Sequence, residues 1–265
     1  MLNNLLIALF FSTLIAILAY WRRSLSRSGG MGTVLIGTLT FGFGGWEWGV
    51  LLVFFFVSSS LLSHYKAREK RAVAEKFDKG HRRDMGQVLA NGGLGALTAV
   101  CNTLFPSPLW FPTFIGIMAT VTADTWATEL GTLSNRPPRR ITTGRIVEVG
   151  TSGGVSLLGT AVSFIGGLFI GLFAGLLTQK QVVEFSLIGG VGGLAGSLFD
   201  SLLGATVQQV YYSDDKQKES EKKFNSLGQP NQPLRGWSWM NNDIVNLIAS
   251  FIGGGVAVLL FYLSQ

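Results

Sequence analysis

A few carboxylates sit where apolar sequence would be expected. Asp124 and Glu129 fall in one apolar run, Asp200 in another, and Asp243 opens a third. Each has polar company at helical spacing. Asp124 is in register with Thr128, and Thr125 with Glu129. Asp200 stands among Ser197, Ser201, Gly204 and Gln208. Asp243 follows Asn241 and Asn242 and precedes Asn246 and Ser250. A fourth stripe, Asp84, Gln87, Asn91, Thr98 and Asn102, advances by three, four or seven residues. Polar side chains in apolar helices face a bundle interior or a site. Around an ideal helix Asp124 and Glu129 lie about 140° apart, so sharing one metal ion requires the helix to end or unwind there.

The connection 133–150 adds a second kind of chemistry. It contains Ser134, Arg136, Arg139, Arg140, Thr142, Thr143 and Arg145, and leads into Gly150-Thr151-Ser152-Gly153-Gly154. Guanidinium forks suit phosphate oxygens. A glycine-rich helix start offers free N–H groups to an anion, and the segment is expected to open the sixth helix in that way. The plainer readings are an N-cap at Thr151 or Ser152 and arginines that only mark topology. Carboxylates, amides and arginines together suit phosphoryl transfer, in which Mg²⁺ takes oxygen ligands and bridges phosphates. A lipid phosphate would keep its tail in the bilayer and its head at the surface.

Long apolar elements must position these groups. Hydrophobic residues make up 48% of the 265 and charged residues only 14%, well below the roughly 25% of soluble domains. The pattern predicts an all-α polytopic membrane protein with about eight transmembrane helices, seven being the alternative count. They are placed at about 2–20, 31–45, 47–64, 87–104, 110–132, 151–177, 185–209 and 243–263, in a single transmembrane domain spanning 1–265. The second and third are separated by Gly42–Gly49, where a tight hairpin or a re-entrant pair fits and where Trp46 and Trp48 suit an interfacial belt.

Every Lys and Arg except Lys180 falls in the connections 21–30, 65–86, 133–150 and 210–242. Eight crossings put all four on one side, which the positive-inside rule makes cytoplasmic or stromal, with both termini outside. Arg22, Arg23 and Arg27 follow the first apolar run instead of preceding it, which favours a retained helix over a signal peptide. The formal charge of +6 is therefore topological and gives no case for nucleic-acid binding. On this topology the polar stripes of all four helices gather in the cytoplasmic half of the bundle. Gly167, Gly171 and Gly175, with the pairs Gly189/Gly193 and Gly192/Gly196, have the spacing of close helix packing. Lys66–Arg83 is expected to continue the third helix into solvent, and Tyr212–Pro233 to form a flexible tether. His64 and His81 have no Cys or His at ligand spacing, the single Cys101 forms no intrachain disulfide, and no Walker A or protein-kinase signature is present.

Three blocks carry a resemblance. Ala123–Ser134, Arg140–Thr143 and Gly150–Ser156 look like the central block of the integral-membrane family that includes transmembrane protein 19 and the plant and cyanobacterial phytyl-phosphate kinases. Gly196–Gln208 and Asn241–Asn246 are similar to its later motifs, and Gln87–Gly92 to an earlier one. The likeness runs from about residue 30 onward. It implies phosphorylation of phytyl monophosphate to the diphosphate by a nucleoside triphosphate, taken as CTP, with Mg²⁺, in support of tocopherol and prenylquinone synthesis. On that basis Asp124, Glu129, Asp200 and Asp243 are the expected catalytic carboxylates, the first three as metal ligands. Arg139, Arg140, Thr142, Thr143, Arg145 and the Gly150–Gly154 turn would hold phosphates. Gln87, Asn91, Thr128, Ser134, Ser201, Gln208, Asn242 and Asn246 would support them. The expected partners are a prenyl phosphate, a nucleotide and the bilayer. The same groups would equally serve a cytidylyltransferase or another lipid-phosphate transferase, and an anion or lipid transporter is the non-enzymatic alternative.

Overall fold

The computed structural model describes residues 2–67, 69–70, 82–214, 217–225 and 227–265. Among these residues there are eight long helices. They are α1 (Leu2–Trp21), α2 (Arg27–Gly44), α3 (Trp46–His64), α4 (Met85–Leu104), α5 (Trp110–Gly131), α6 (Leu157–Thr178), α7 (Val182–Thr206) and α8 (Asn242–Ser264). Five of them, α1, α3, α6, α7 and α8, are long and apolar enough to cross a membrane. The chain is an all-α polytopic membrane protein.

Polar side chains cap the starts of four helices, and at α6 the cap is Ser156 in place of the expected Thr151 or Ser152. Ser26 accepts from Gly29 N–H at the start of α2, Ser156 from Gly159 N–H at α6, and Asn241 from Ile244 N–H at α8. At α4, Asp84 and Gln87 form a reciprocal capping box, which satisfies two backbone N–H groups that the helix cannot. A single residue, Gly45 with φ of +93°, reverses the chain between α2 and α3.

α5 is the axis of the bundle. Its residues from Phe114 to Ala123 are buried on every face, the mark of a helix packed all round. α4, α6, α7, α8 and α3 lie against it, while α1 packs on α2. Glycines set the spacing of the inner helices. A methyl on Gly189 would stand 2.5 Å from the Gly167 carbonyl oxygen, and one on Gly116 the same distance from that of Gly253. No side chain fits at such a contact, so the small-residue spacing in α6 and α7 closes the helices to backbone contact.

Four expectations change. Trp48 is core, not interface: it is 5% exposed, with its ring 4.5 Å from that of Phe114, while Trp46 remains half exposed. The sixth helix begins at Leu157 instead of 151, because residues 139–155 form a small antiparallel pair. In it β1 (Arg139–Arg140) lies against β2 (Gly154–Val155). The tether at 212–233 contains ordered strands. β3 (Val210–Ser213) is flanked by β4 (Lys218–Ser220) and β5 (Gln232–Arg235), both antiparallel. Strands of only three or four residues of mixed character, one with Pro233 at a sheet edge, leave almost no alternating pattern to read. Of the expected extension 66–83, residues 68 and 71–81, His81 included, lie outside the described residues. The described part is not a solvated helix, since Lys70 is buried.

The basic connections meet at one end of the bundle. Ser26 N–H donates to Arg83 O and Arg83 N–H to Ser24 O. Arg140 pairs with Glu219, and Ser152 donates to Glu221. These bonds tie the first connection to the second and the third to the fourth.

Candidate active site

At that end a cavity of about 490 Å³ opens between α4, α5, α7 and α8, roofed by the 139–155 hairpin and the three-stranded sheet. Its size is ordinary for a small-ligand pocket, roughly 300–1,000 Å³, but its lining is unusually polar. Asp124 and Thr128 enter it from α5, Asp200 and Ser201 from α7, Asn91 from α4, and Asn242, Asp243 and Asn246 from α8. The four polar stripes do converge. The Asn246 amide donates to Asn91 Oδ1 at 3.4 Å, which joins α8 to α4 across 155 residues of chain.

Asp200 is the exceptional carboxylate of the cavity lining. Its Oδ2 is buried and has no hydrogen-bond partner among the described residues, as is also true of Asn246 Oδ1. An orphaned buried oxygen costs on the order of 1–3 kcal/mol, more for a charged group, so one facing a polar cavity marks a place for a ligand. Asp124, Asp200 and a third carboxylate, Glu221, act on one another's charge. Glu221 follows β4 and accepts from Gln208 Nε2 at 2.8 Å and from Ser152 Oγ at 3.2 Å. The buried Gln208 at the end of α7 thus holds a carboxylate over the cavity.

Glu129 lines the same cavity, but its carboxylate is already engaged. Its carboxylate accepts from Ser63 Oγ at 2.6 Å and forms an ion pair with the buried Lys70 Nζ, which also donates to Leu62 O. It straps α5 to the end of α3. The expected three-carboxylate set of Asp124, Glu129 and Asp200 is not assembled, and no three His, Cys, Asp or Glu side chains gather as metal ligands among the described residues. The structure does fit Mg²⁺ held in the manner usual for that ion, by one or two carboxylates with substrate phosphates and water completing the shell. Asp124 and Asp200 would be those carboxylates, with the orphaned Asp200 oxygen as the free donor.

The arginine-rich connection is also rearranged. Arg139, Thr142, Thr143 and Arg145 are exposed and do not line the cavity. They lie on a tight turn, where Gly144 has φ of +66° and Arg139 Nη1 donates to Gly144 O at 2.8 Å. Arg140 is turned to Glu219 at 3.1 Å. Ser134 accepts from Arg136 N–H and stays outside as well. The segment Gly150–Gly154 does line the cavity, as a turn and strand instead of a helix N-terminus. There Gly153, at φ of +80°, lies so close to α7 that a methyl would be 2.5 Å from the Ala205 Cα.

Other cations stand at the cavity. Arg83, Lys70 and Lys223 line the cavity. Burial lowers the Arg83 pKa to about 10 while the charge of Glu129 raises it, so the guanidinium is charged at neutral pH. It lies 5.6 and 5.4 Å from the Phe55 and Phe56 ring centres. Arg235 donates to Gly204 O and Ser152 O, fastening the sheet to α7 and the hairpin. Burial lowers its pKa, opposed by Glu219. Sequence reasoning missed Lys70, Arg83, Glu221 and Lys223. The first two were read as topology charges, and the last two lay in the supposed tether.

An integral membrane family model, DUF92, matches residues 10–254. The chain belongs to that family. It is 33% identical to Protein PGR of Arabidopsis thaliana, over 97% of this chain and 98% of the relative. To an uncharacterised membrane protein of Methanocaldococcus jannaschii it is 34% identical, over 97% and 95%. To the chloroplastic Protein VTE6 of Arabidopsis thaliana it is 30% identical, over 97% and 70%. No solved structure matches the chain. The family match agrees with the resemblance drawn from the motifs.

Proposed function

We propose that this protein is a prenyl-phosphate kinase that converts phytyl monophosphate to phytyl diphosphate, with CTP as the nucleoside triphosphate. The observation that carries the reading is the orphaned Asp200 oxygen beside Asp124, in a polar cavity rimmed by Arg83, Lys223 and the glycine-rich turn. The motif resemblance to phytyl-phosphate kinases supports the substrate. An oxygen of the lipid phosphate, already anionic, attacks the γ-phosphorus. The bond from that phosphorus to the β-bridging oxygen breaks, and the nucleoside diphosphate leaves. No covalent intermediate and no strong base are required, since positioning and charge neutralisation carry the rate. Asp124 and Asp200 would hold a Mg²⁺ ion, whose chemistry there would be to neutralise phosphate charge. Asn91 and Asn246 orient the phosphate oxygens, and Arg83 and Lys223 balance their charge. The basic connections and the cavity face the cytoplasm or stroma.

The test is product identity. The purified protein is incubated with phytyl monophosphate, Mg²⁺ and each nucleoside triphosphate in turn, and the lipid product is weighed by mass spectrometry. A lipid diphosphate is expected. A nucleotide-linked lipid would replace the kinase by a nucleotidyltransferase. An unchanged lipid that crosses vesicle membranes would replace it by a transporter.

A further inference from the structure

A second cavity, of about 410 Å³, lies among α1, α2, α3 and α4. Apart from Ser12, Thr33 and three polar residues at one end, its lining is aliphatic, aromatic or glycine. Those three are Arg83, Gln87 and Asn91, and all three also line the polar cavity. The two spaces therefore share one wall of charged and amide groups. Phe11 and Trp46, each about half exposed, also line the apolar cavity, so it reaches the outer surface of the bundle. Its occupant must be apolar along its length and anionic at one end, because Arg83, held over Phe55 and Phe56, is the charge at the shared wall.

We propose that this apolar cavity is the binding site for the hydrocarbon chain of a single-chain lipid monophosphate, with the phosphate at the wall formed by Arg83, Gln87 and Asn91. The inference rests on the prenyl-phosphate reading for the identity of the chain and adds where that chain is held. The tail lies inside the protein between α1 and α3, not in the surrounding bilayer. The cavity then favours chains that fit its limited apolar volume, while the shared wall keeps the phosphate at a constant distance from Asp124 and Asp200.

The experiment is photolabelling of the full-length protein with a C20 prenyl monophosphate bearing a diazirine near the tail end, without nucleotide, followed by peptide mapping. Adducts are expected on residues at the far end of the cavity from Arg83, such as Phe41, Gly49 and Val50, and unlabelled prenyl monophosphate should compete them away. Val50→Trp, further from Arg83, should reduce C20 labelling roughly tenfold while sparing a C10 analogue, as loss of apolar pocket volume predicts. Adducts confined to outward residues of α1 such as Phe10 and Leu14, no specific labelling, or competition by phosphatidic acid in place of prenyl phosphate would overturn the tail site. The wild-type map decides the matter even if the tryptophan variant does not fold. Cavity adducts without diphosphate formation would sink the kinase reading alone, and diphosphate formation with adducts elsewhere would sink the tail site alone.

Discussion

The two cavities share a wall but are built by opposite means. The polar one is enclosed by helices in backbone contact, with α6 and α7 locked through Gly167 and Gly189 and with α5 buried on every side. Its loops are bolted down by Arg235, Gln208 and Glu221. The apolar one lies beside α1, whose outward residues Leu6, Phe10 and Leu14 are all exposed and whose partner is α2. Charge must be held in a rigid frame, because a preorganised dipole or carboxylate is useful only if it does not reorient. A hydrocarbon chain imposes no such demand, since dispersion and burial are non-directional. The contrast teaches where specificity should reside: phosphate chemistry in the stiff half, chain length in the half bounded by α1.

The most severe way to break this contrast is to remove a charge from the stiff half. Asp200→Asn and Asp124→Asn should each lower phosphate transfer by at least about 100-fold, while C20 photolabelling of the apolar cavity persists. Near-normal turnover in both would end the assignment. Next comes the strap. Lys70→Met removes the ion-pair partner of the partly buried Glu129, and chemical or thermal unfolding in detergent should show a loss on the order of 1–3 kcal/mol. Adding Glu129→Gln should recover part of it, and an equal loss in the double variant would mean the pair is not the cause. Gly189→Leu forces a side chain against the Gly167 carbonyl and should cost about 1–3 kcal/mol, with melting temperature as the readout. The smallest effect belongs to the hairpin arginines. Arg139→Ala and Arg145→Ala should change turnover by less than about threefold, as for exposed positions generally. A hundredfold loss in either would put the phosphate site back on that turn.

The span pattern and the stripes were legible because helices are local. A period of 3.6 residues places Asp200 beside Ser197 and Gly204 in any fold that keeps the helix. The alternation of basic connections then brings Asn91, Asp124, Asp200 and Asn246 to one end without knowledge of any contact. The capping box at Asp84 was less clear, since the spacing that made Gln87 a site candidate also makes it a cap. Glu129 misled for a related reason. It has the residue type and the neighbours of a ligand, and only its partner, Lys70, 59 residues away, reveals a structural role.

What the sequence determined by itself is the class of the molecule: eight long helices, glycine seams, basic connections grouped together and carboxylates sharing one end. These follow from hydropathy and helical period, which act over a few turns of chain. What only the tertiary structure decided is which polar groups meet. It brought Glu221 over the cavity on a sheet too short to foresee, turned Arg140 toward Glu219, left Asp200 with an unpartnered oxygen and opened an apolar space beside Arg83. Each of these is a contact, or the lack of one, between residues distant in sequence. Such contacts are set by how whole helices and strands pack, and no short window of residues contains them.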